Sequence, residues 1–292
     1  MPVSISARGA LGIRKEASYA SGGGLDNWQI IESSTLEKRN QYIYQDRIRN
    51  TPEQFGGQFS HTVLSGQITF PVTPANPTQW WECGIGGSGP YTPNFPLSSM
   101  AIEVQEGQIG TVYTSGDMIT RLELSSQKGD ILRCTASIEG ADMTSRVAST
   151  ATFSSGDDAY LHSECTFTLD GVVNNDVESF SVSQDNNNIL DLYGNTPRRR
   201  EIPATKATVT GSIALLFSDT GMRNRFFNQL PSRIVALYAR AGRSFEIQLN
   251  NINYDVDSRP LQGQTSFILE TLNFTAFVKD PTAQNSIKVT VV

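Results

Sequence analysis

The segment His61-Thr62-Val63-Leu64-Ser65-Gly66-Gln67-Ile68-Thr69-Phe70 sorts its residues into two sets. Thr62, Leu64, Gly66, Ile68 and Phe70 share one face, and His61, Val63, Ser65, Gln67 and Thr69 share the other. Successive side chains of a strand point to opposite faces, whereas a helix repeats its apolar positions every three or four residues. A period of two therefore predicts a half-buried strand. Similar short runs occur at 99–103, 117–124, 131–138, 161–169, 177–183, 207–217, 234–239, 245–249, 266–278 and 287–291. Gly, Asn, Asp and Pro separate them, so the chain is predicted to be mainly β, an antiparallel β-sandwich or β-barrel.

Two interruptions read as short helices. In Asp219–Leu230 an Asp suited to the N-cap precedes Met222, Phe226 and Leu230 on one face, and Pro231 stops the run. This predicts an amphipathic helix packed on the sandwich. The other, 74–84, carries Trp80 and Trp81 and ends at Gly84. In each case a Gly-containing strand, Gly66-Gln67-Ile68 or Gly211-Ser212-Ile213, runs into the helix. Three matched positions do not establish a duplication.

Residues 1–60 are polar and irregular, and 36–44 reads as a strand or a short helix, its Tyr and Ile spacing favouring a strand. So long an arm without core periodicity is expected to be ordered by a neighbouring subunit. The polar excursion at 184–206, with Arg198-Arg199-Arg200, is too long for a tight hairpin. The expected organisation is one domain over 1–292: an N-terminal arm and first strand at 1–60, then a sandwich at 61–292. A chain of 292 residues is long enough to bury a substantial core.

Charge and motif content argue against most chemistry. With 23 Lys+Arg against 29 Asp+Glu the net charge is −6, and neither half is basic, unlike a protein that grips phosphates from outside. The plain reading of this balance is a soluble acidic protein. Cys83, Cys134 and Cys165 are an odd number without Cys-x-x-Cys spacing, which suggests buried free thiols rather than disulfides or a zinc site. No signal-peptide core and no membrane-length apolar run occur. The two histidines, His61 and His162, lie in strand-like runs away from any nucleophile motif. Gly84–Gly89 fits G-x-G-x-x-G, but Pro90 and Pro93 leave no helix to follow it, so it reads as a turn. No enzyme, cofactor or metal is expected. The Arg triplet reads as a solvated loop, as charged anchors for a neighbouring subunit or, third, as a nucleic-acid contact.

The order of features resembles the major tail tube proteins of siphophages. The resemblance runs from Trp28–Leu36 into His61–Thr69, and more firmly through Gly171–Asn187, Ala207–Ile213, the Phe226-Phe227 helix and Asn273–Asp280. It implies a virion protein, made in the host bacterial cytoplasm, whose subunits form a six-membered ring around a continuous inner barrel. Rings stack through arm and loop contacts, for which Trp28, Leu36, Arg198, Arg199 and Arg200 are the candidates. Asp117, Glu123, Glu164, Asp170 and Glu178 are the candidates for an acidic lumen. The implied partners are further copies of the chain, a tape-measure protein, tail-tip and terminator proteins, and double-stranded DNA in passage, with no membrane anchoring. Competing readings are a tube or terminator of a contractile tail or secretion system, and a carbohydrate-binding sandwich using Trp80 and Trp81 as a stacking platform.

Overall fold

A computed structural model of the chain describes residues 9–45, 55–106, 110–153, 158–217, 221–259, 268–278 and 285–292. The start of the arm, the expected N-cap Asp219, residues 266–267 of the strand expected at 266–278, and Lys279 and Asp280 lie outside these.

In chain order the elements are β1 (Ala10–Lys15), β2 (Asn27–Gln29), β3 (Ser33–Ser34), β4 (Glu37–Gln45), β5 (Phe55–Pro71), α1 (Gln79–Gly84), β6 (Met100–Glu106), β7 (Gly110–Gln127), β8 (Arg133–Gly140) and β9 (Asp142–Ser145). They continue as β10 (Cys165–Leu169), β11 (Val172–Asn174), β12 (Val177–Asp185), β13 (Thr208–Leu216), α2 (Gly221–Phe227), β14 (Ser232–Arg240), β15 (Arg243–Ser258), β16 (Leu269–Ala276) and β17 (Ile287–Val291). The protein is mainly β and its sheet is antiparallel, as the period-two runs predict.

A broad sheet runs β4-β5-β8-β7-β12-β13-β16-β15. Two of its long strands, β7 and β15, leave it part-way. The first half of β7 joins β2-β1-β6-β7-β9, and the first half of β15 joins β11-β10-β14-β15-β17. One apolar core includes Ile68 and Phe70 of β5, Ile213 of β13, Phe274 of β16 and Ile247 of β15. Burying each such side chain contributes about 1.5–3 kcal/mol, which is why the apolar set of each strand dictates its inner face.

The tryptophans of α1 belong to this core. Trp80 and Trp81 are fully buried; Trp80 Nε1 donates to Gln29 Oε1 at 2.9 Å, and Trp81 packs on Phe245 with ring centroids 5.0 Å apart. This removes the sugar-stacking platform. Other expectations need correction too. Residues 10–15, read as irregular, form β1, with Leu11 and Ile13 fully buried between β2 and β6. The expected strand over 161–169 starts with a 3-10 turn, His162–Glu164, before β10. Helix α2 is shorter than expected: Met222 packs against the core, but Phe227 and Leu230 are exposed.

Candidate functional site

The outward face of the broad sheet is built almost entirely from hydroxyl and amide side chains. Strand alternation sends Ile68, Ala136, Leu122, Val182 and Ile213 inward and their neighbours outward. One register row reads Thr69, Thr135, Glu123, Ser183, Thr210 and Thr275 across six adjacent strands. The next reads Arg133, Ser125, Ser181, Ser212 and Asn273. Many of these side chains satisfy one another: Thr69 with Thr135 at 3.2 Å, Ser181 with Ser212 at 2.9 Å, and Ser183 with Thr210 at 3.3 Å.

The charges on this face are neutralised locally. Arg121 pairs with Glu123 at 3.1 Å, Glu139 with Arg199 at 2.6 Å, and Arg133 with Glu32 at 2.9 Å. The result is a flat polar surface, rich in donors and acceptors, to which Asp185 opposite Arg121 and Asp255 beside Thr275 add carboxylates, so positive charge is not in excess. Ser, Thr and Asn side chains are also short, so little protrudes from it.

Of the five carboxylates expected on an acidic lumen, Glu123 lies at the centre of this face and four lie elsewhere. Asp117 sits where β7 leaves the broad sheet and is fully buried, bonded to Thr114, so it presents nothing to a channel. Its Oδ1 lacks a partner, and burial pushes its carboxyl well above the usual range. Glu164 closes the 3-10 turn by accepting from Leu161 N at 3.0 Å. Asp170 turns the β10–β11 hairpin, accepting from Arg233 N at 2.9 Å and pairing with Arg225 at 3.1 Å. Glu178, at the irregular start of β12, pairs with Lys128 at 2.6 Å.

The residues expected to anchor neighbours are mostly engaged within their own chain. Trp28 is buried on β2 against Gly12, and Leu36 packs on the core where the backbone passes Gly66. Arg199 is buried, bonding Glu139, the Leu64 carbonyl at 3.3 Å and the Gly140 carbonyl at 3.5 Å. Arg198 pairs with Asp142 at 2.9 Å, and the Arg200 amide donates to Leu192 O at 2.7 Å. The 184–206 excursion is thus a strap: Asn186 ties it to the Gly84 and Ile119 carbonyls, both at 2.9 Å, and Ile202 is buried beside Leu97 and Met118.

Sequence reasoning missed the surfaces that are bare. Hairpin β4–β5 extends past the end of β8 with Tyr42, Ile43, Tyr44 and Phe59 exposed, Ile43 by 61%. At the opposite side of the broad sheet, β15 pairs only with β16 over Asn253–Ser258, leaving an edge open among the described residues. A cleft of about 590 Å³ lies beside that edge, lined by Phe226, Phe227, Leu230 and Tyr254. The exposed run Tyr42-Ile43-Tyr44 was the available signal for the hairpin.

Among the described residues catalytic groups do not converge. Ser126 Oγ lies 3.0 Å from His162 Nδ1 and 2.6 Å from the Tyr238 hydroxyl, but both Ser126 and His162 are buried, and His162 Nε2 lies 3.0 Å from the Val177 carbonyl. These contacts satisfy polar groups inside the core. Burial pushes the Cys83 and Cys165 thiols up to about 12, which leaves them protonated and unreactive. Among the described residues no cluster of His, Cys, Asp or Glu is placed to hold a metal.

A family model described as phage tail tube protein matches residues 6–276, nearly the whole chain. The chain belongs to that family. No curated protein matches it. A tail tube protein is a structural component of the virion tail and assembles with copies of itself into a tube. No helix among the described residues is long and apolar enough to cross a membrane.

Proposed function

We propose that this tail tube protein forms closed rings that stack head to tail into the tube of a long, sheathless siphophage tail, with the Ser/Thr-rich face lining the channel for genome ejection. The observation that carries this reading is the hydroxyl-rich row from Thr69 to Thr275, whose one charged member, Glu123, is paired with Arg121. Double-stranded DNA carries one negative charge per about 1.7 Å of its axis. A basic wall would hold its phosphates, and unpaired donors would bind them individually. A flat wall of mutually hydrogen-bonded hydroxyls keeps a film of water instead, and DNA slides along it without sequence-specific contact. The resemblance described above implies six units around such a ring, with a tape-measure protein inside the growing tube and tip and terminator proteins at its ends.

The assembly is synthesised in the host cytoplasm on this reading and needs no enzymatic step. Its test is chemical. A Thr210→Cys variant should react with a bulky maleimide polymer as free subunits and be shielded once tubes form. Equal reactivity in both states would place this face outside the channel and overturn the assignment.

A further inference from the structure

The strand wiring of the first part of the chain is repeated in the second. The first four strands of the broad sheet run β4-β5-β8-β7 and the last four run β12-β13-β16-β15, so each set takes its strands in the same relative chain order. The second layer repeats too, β2-β1-β6-β7-β9 matching β11-β10-β14-β15-β17, with α1 and α2 at the same place between strands.

Local irregularities fall at matched positions, which chance resemblance of strands does not produce. In β7 the register shifts between Ile119 and Arg121, opposite Ile138 and Ser137; in β15 it shifts between Tyr254 and Val256, opposite Phe274 and Asn273. A second shift separates Met100 from Ile102 against β7, and its counterpart separates Ser232 from Ile234 against β15. Bulges are positional features of a fold rather than noise. Ile138 is the cross-strand partner of Gly66, and Phe274 is the partner of Gly211. At both glycines the preceding strand crosses so closely that a Cβ would meet backbone, at 2.6 Å from Leu36 Cα and 2.3 Å from Ser181 O.

We infer that the chain is a fused pair of tube modules, and that three chains close the ring through a joint between β15 of one and β3–β4 of the next that copies the joint between β7 and β12. This rests on the tube reading above. Within the chain, Arg121–Gln127 of β7 pairs antiparallel with Ser179–Asp185 of β12. The positions matching Arg121–Leu124 and Val182–Asp185 are 256–259 and 36–39, and both present free edges among the described residues. Eight alternating strands leave the first and last antiparallel in copies related by rotation, so the joint can hydrogen-bond as an ordinary ladder. It sets Lys38 opposite Asp257 and Glu37 opposite Ser258.

The cleft beside α2 has the same explanation. In the first module the matching space beside α1 is filled from β12 and the residue following it: Gln184 Nε2 and Asn186 Nδ2 donate to the Gly84 carbonyl at 3.2 and 2.9 Å. The counterparts of Gln184 and Asn186 are Lys38 and Asn40, both on the exposed face of β4 in the isolated subunit, where Lys38 pairs with Asp142 at 2.9 Å, a contact it would exchange at the joint. A neighbouring chain supplies them to the open cleft.

Strand geometry then fixes the number of chains. With strands about 4.7 Å apart and tilted by about 35–45°, sixteen strands enclose a backbone circle about 29–34 Å across, twenty-four about 44–51 Å and forty-eight about 88–102 Å. Side chains narrow each of these. Two chains of eight strands would leave little beyond the bare width of a duplex, and six would enclose a channel far too wide to guide one. Three chains fit a single hydrated double helix.

The test joins Glu37→Cys to Ser258→Cys in one chain and oxidises assembled particles. A covalent ladder ending at three chains of 32.0 kDa, about 96 kDa, is expected, with threefold symmetry in electron micrographs. A ladder ending at six chains, or tubes with no link between these positions, would overturn the inference while leaving the tube reading in place. Failure of the unmodified chain to form any ring or tube, alone or on a tail-tip initiator, would remove the tube reading itself.

Discussion

Asp117 is the residue at which the subunit departs furthest from a soluble carboxylate. Its side chain is fully buried, and burial favours the neutral acid, although the bond from Thr114 opposes this in part. The folded chain therefore keeps a proton that the unfolded chain releases near the ordinary carboxylate value of about 3.9. Such a group contributes stability that is fully present below that value and is lost as pH rises toward the folded one. Asp117→Asn keeps the shape and cannot ionise. Its melting temperature should gain on that of the parent as pH rises above about 4; parallel curves would mean that Asp117 is ionised in the fold.

At the scale of elements, the strap over 184–206 is held by Arg199 more than by any apolar residue but Ile202. Its guanidinium serves the Glu139 carboxylate and two β5 and β8 carbonyls at a site it nearly closes from water. Removing one partner of a buried ion pair leaves the other uncompensated, which costs about 3–5 kcal/mol when burial is complete. Glu139 keeps some exposure, so Arg199→Met should cost about 2–3 kcal/mol in urea denaturation. Adding Glu139→Gln should restore part of that loss. An unchanged midpoint in the single variant would show that the strap is held elsewhere. The same contacts mean that excising the strap, or β1 with its buried Leu11 and Ile13, would open the core instead of merely blocking assembly.

On the scale of the whole molecule, assembly surfaces and core are separable. An isolated two-stranded hairpin is marginal in water, and β4–β5 leaves Ile43 and Tyr44 61% and 56% exposed, an arrangement suited to burial against another copy. Open sheet edges invite pairing, and closure into a ring removes them. Ile43→Ser combined with Tyr44→Ser should leave the melting temperature of the subunit within about a degree or two, since surface changes usually stay within ±0.5 kcal/mol. The same variant should no longer form tubes by electron microscopy. Tubes of normal length would show that the hairpin is not an assembly element.

The sequence alone determined the class of fold, because period-two burial is a local property written into each strand: β5, β7, β12, β13 and β16 were all legible from their own residues. It assigned Glu123 and Asp117 to one surface, since both stand on one strand and only the tertiary structure reveals that β7 changes sheets between them and buries Asp117. The arm and the Arg triplet looked free because long-range contacts, Leu11 to β6 and Arg199 to Glu139, leave no periodic trace. The repeat of Gly66 and Gly211 was visible as three letters. Register, bulges and edges are set by which strands meet, and pairing between residues far apart in the chain is what only the folded molecule decides.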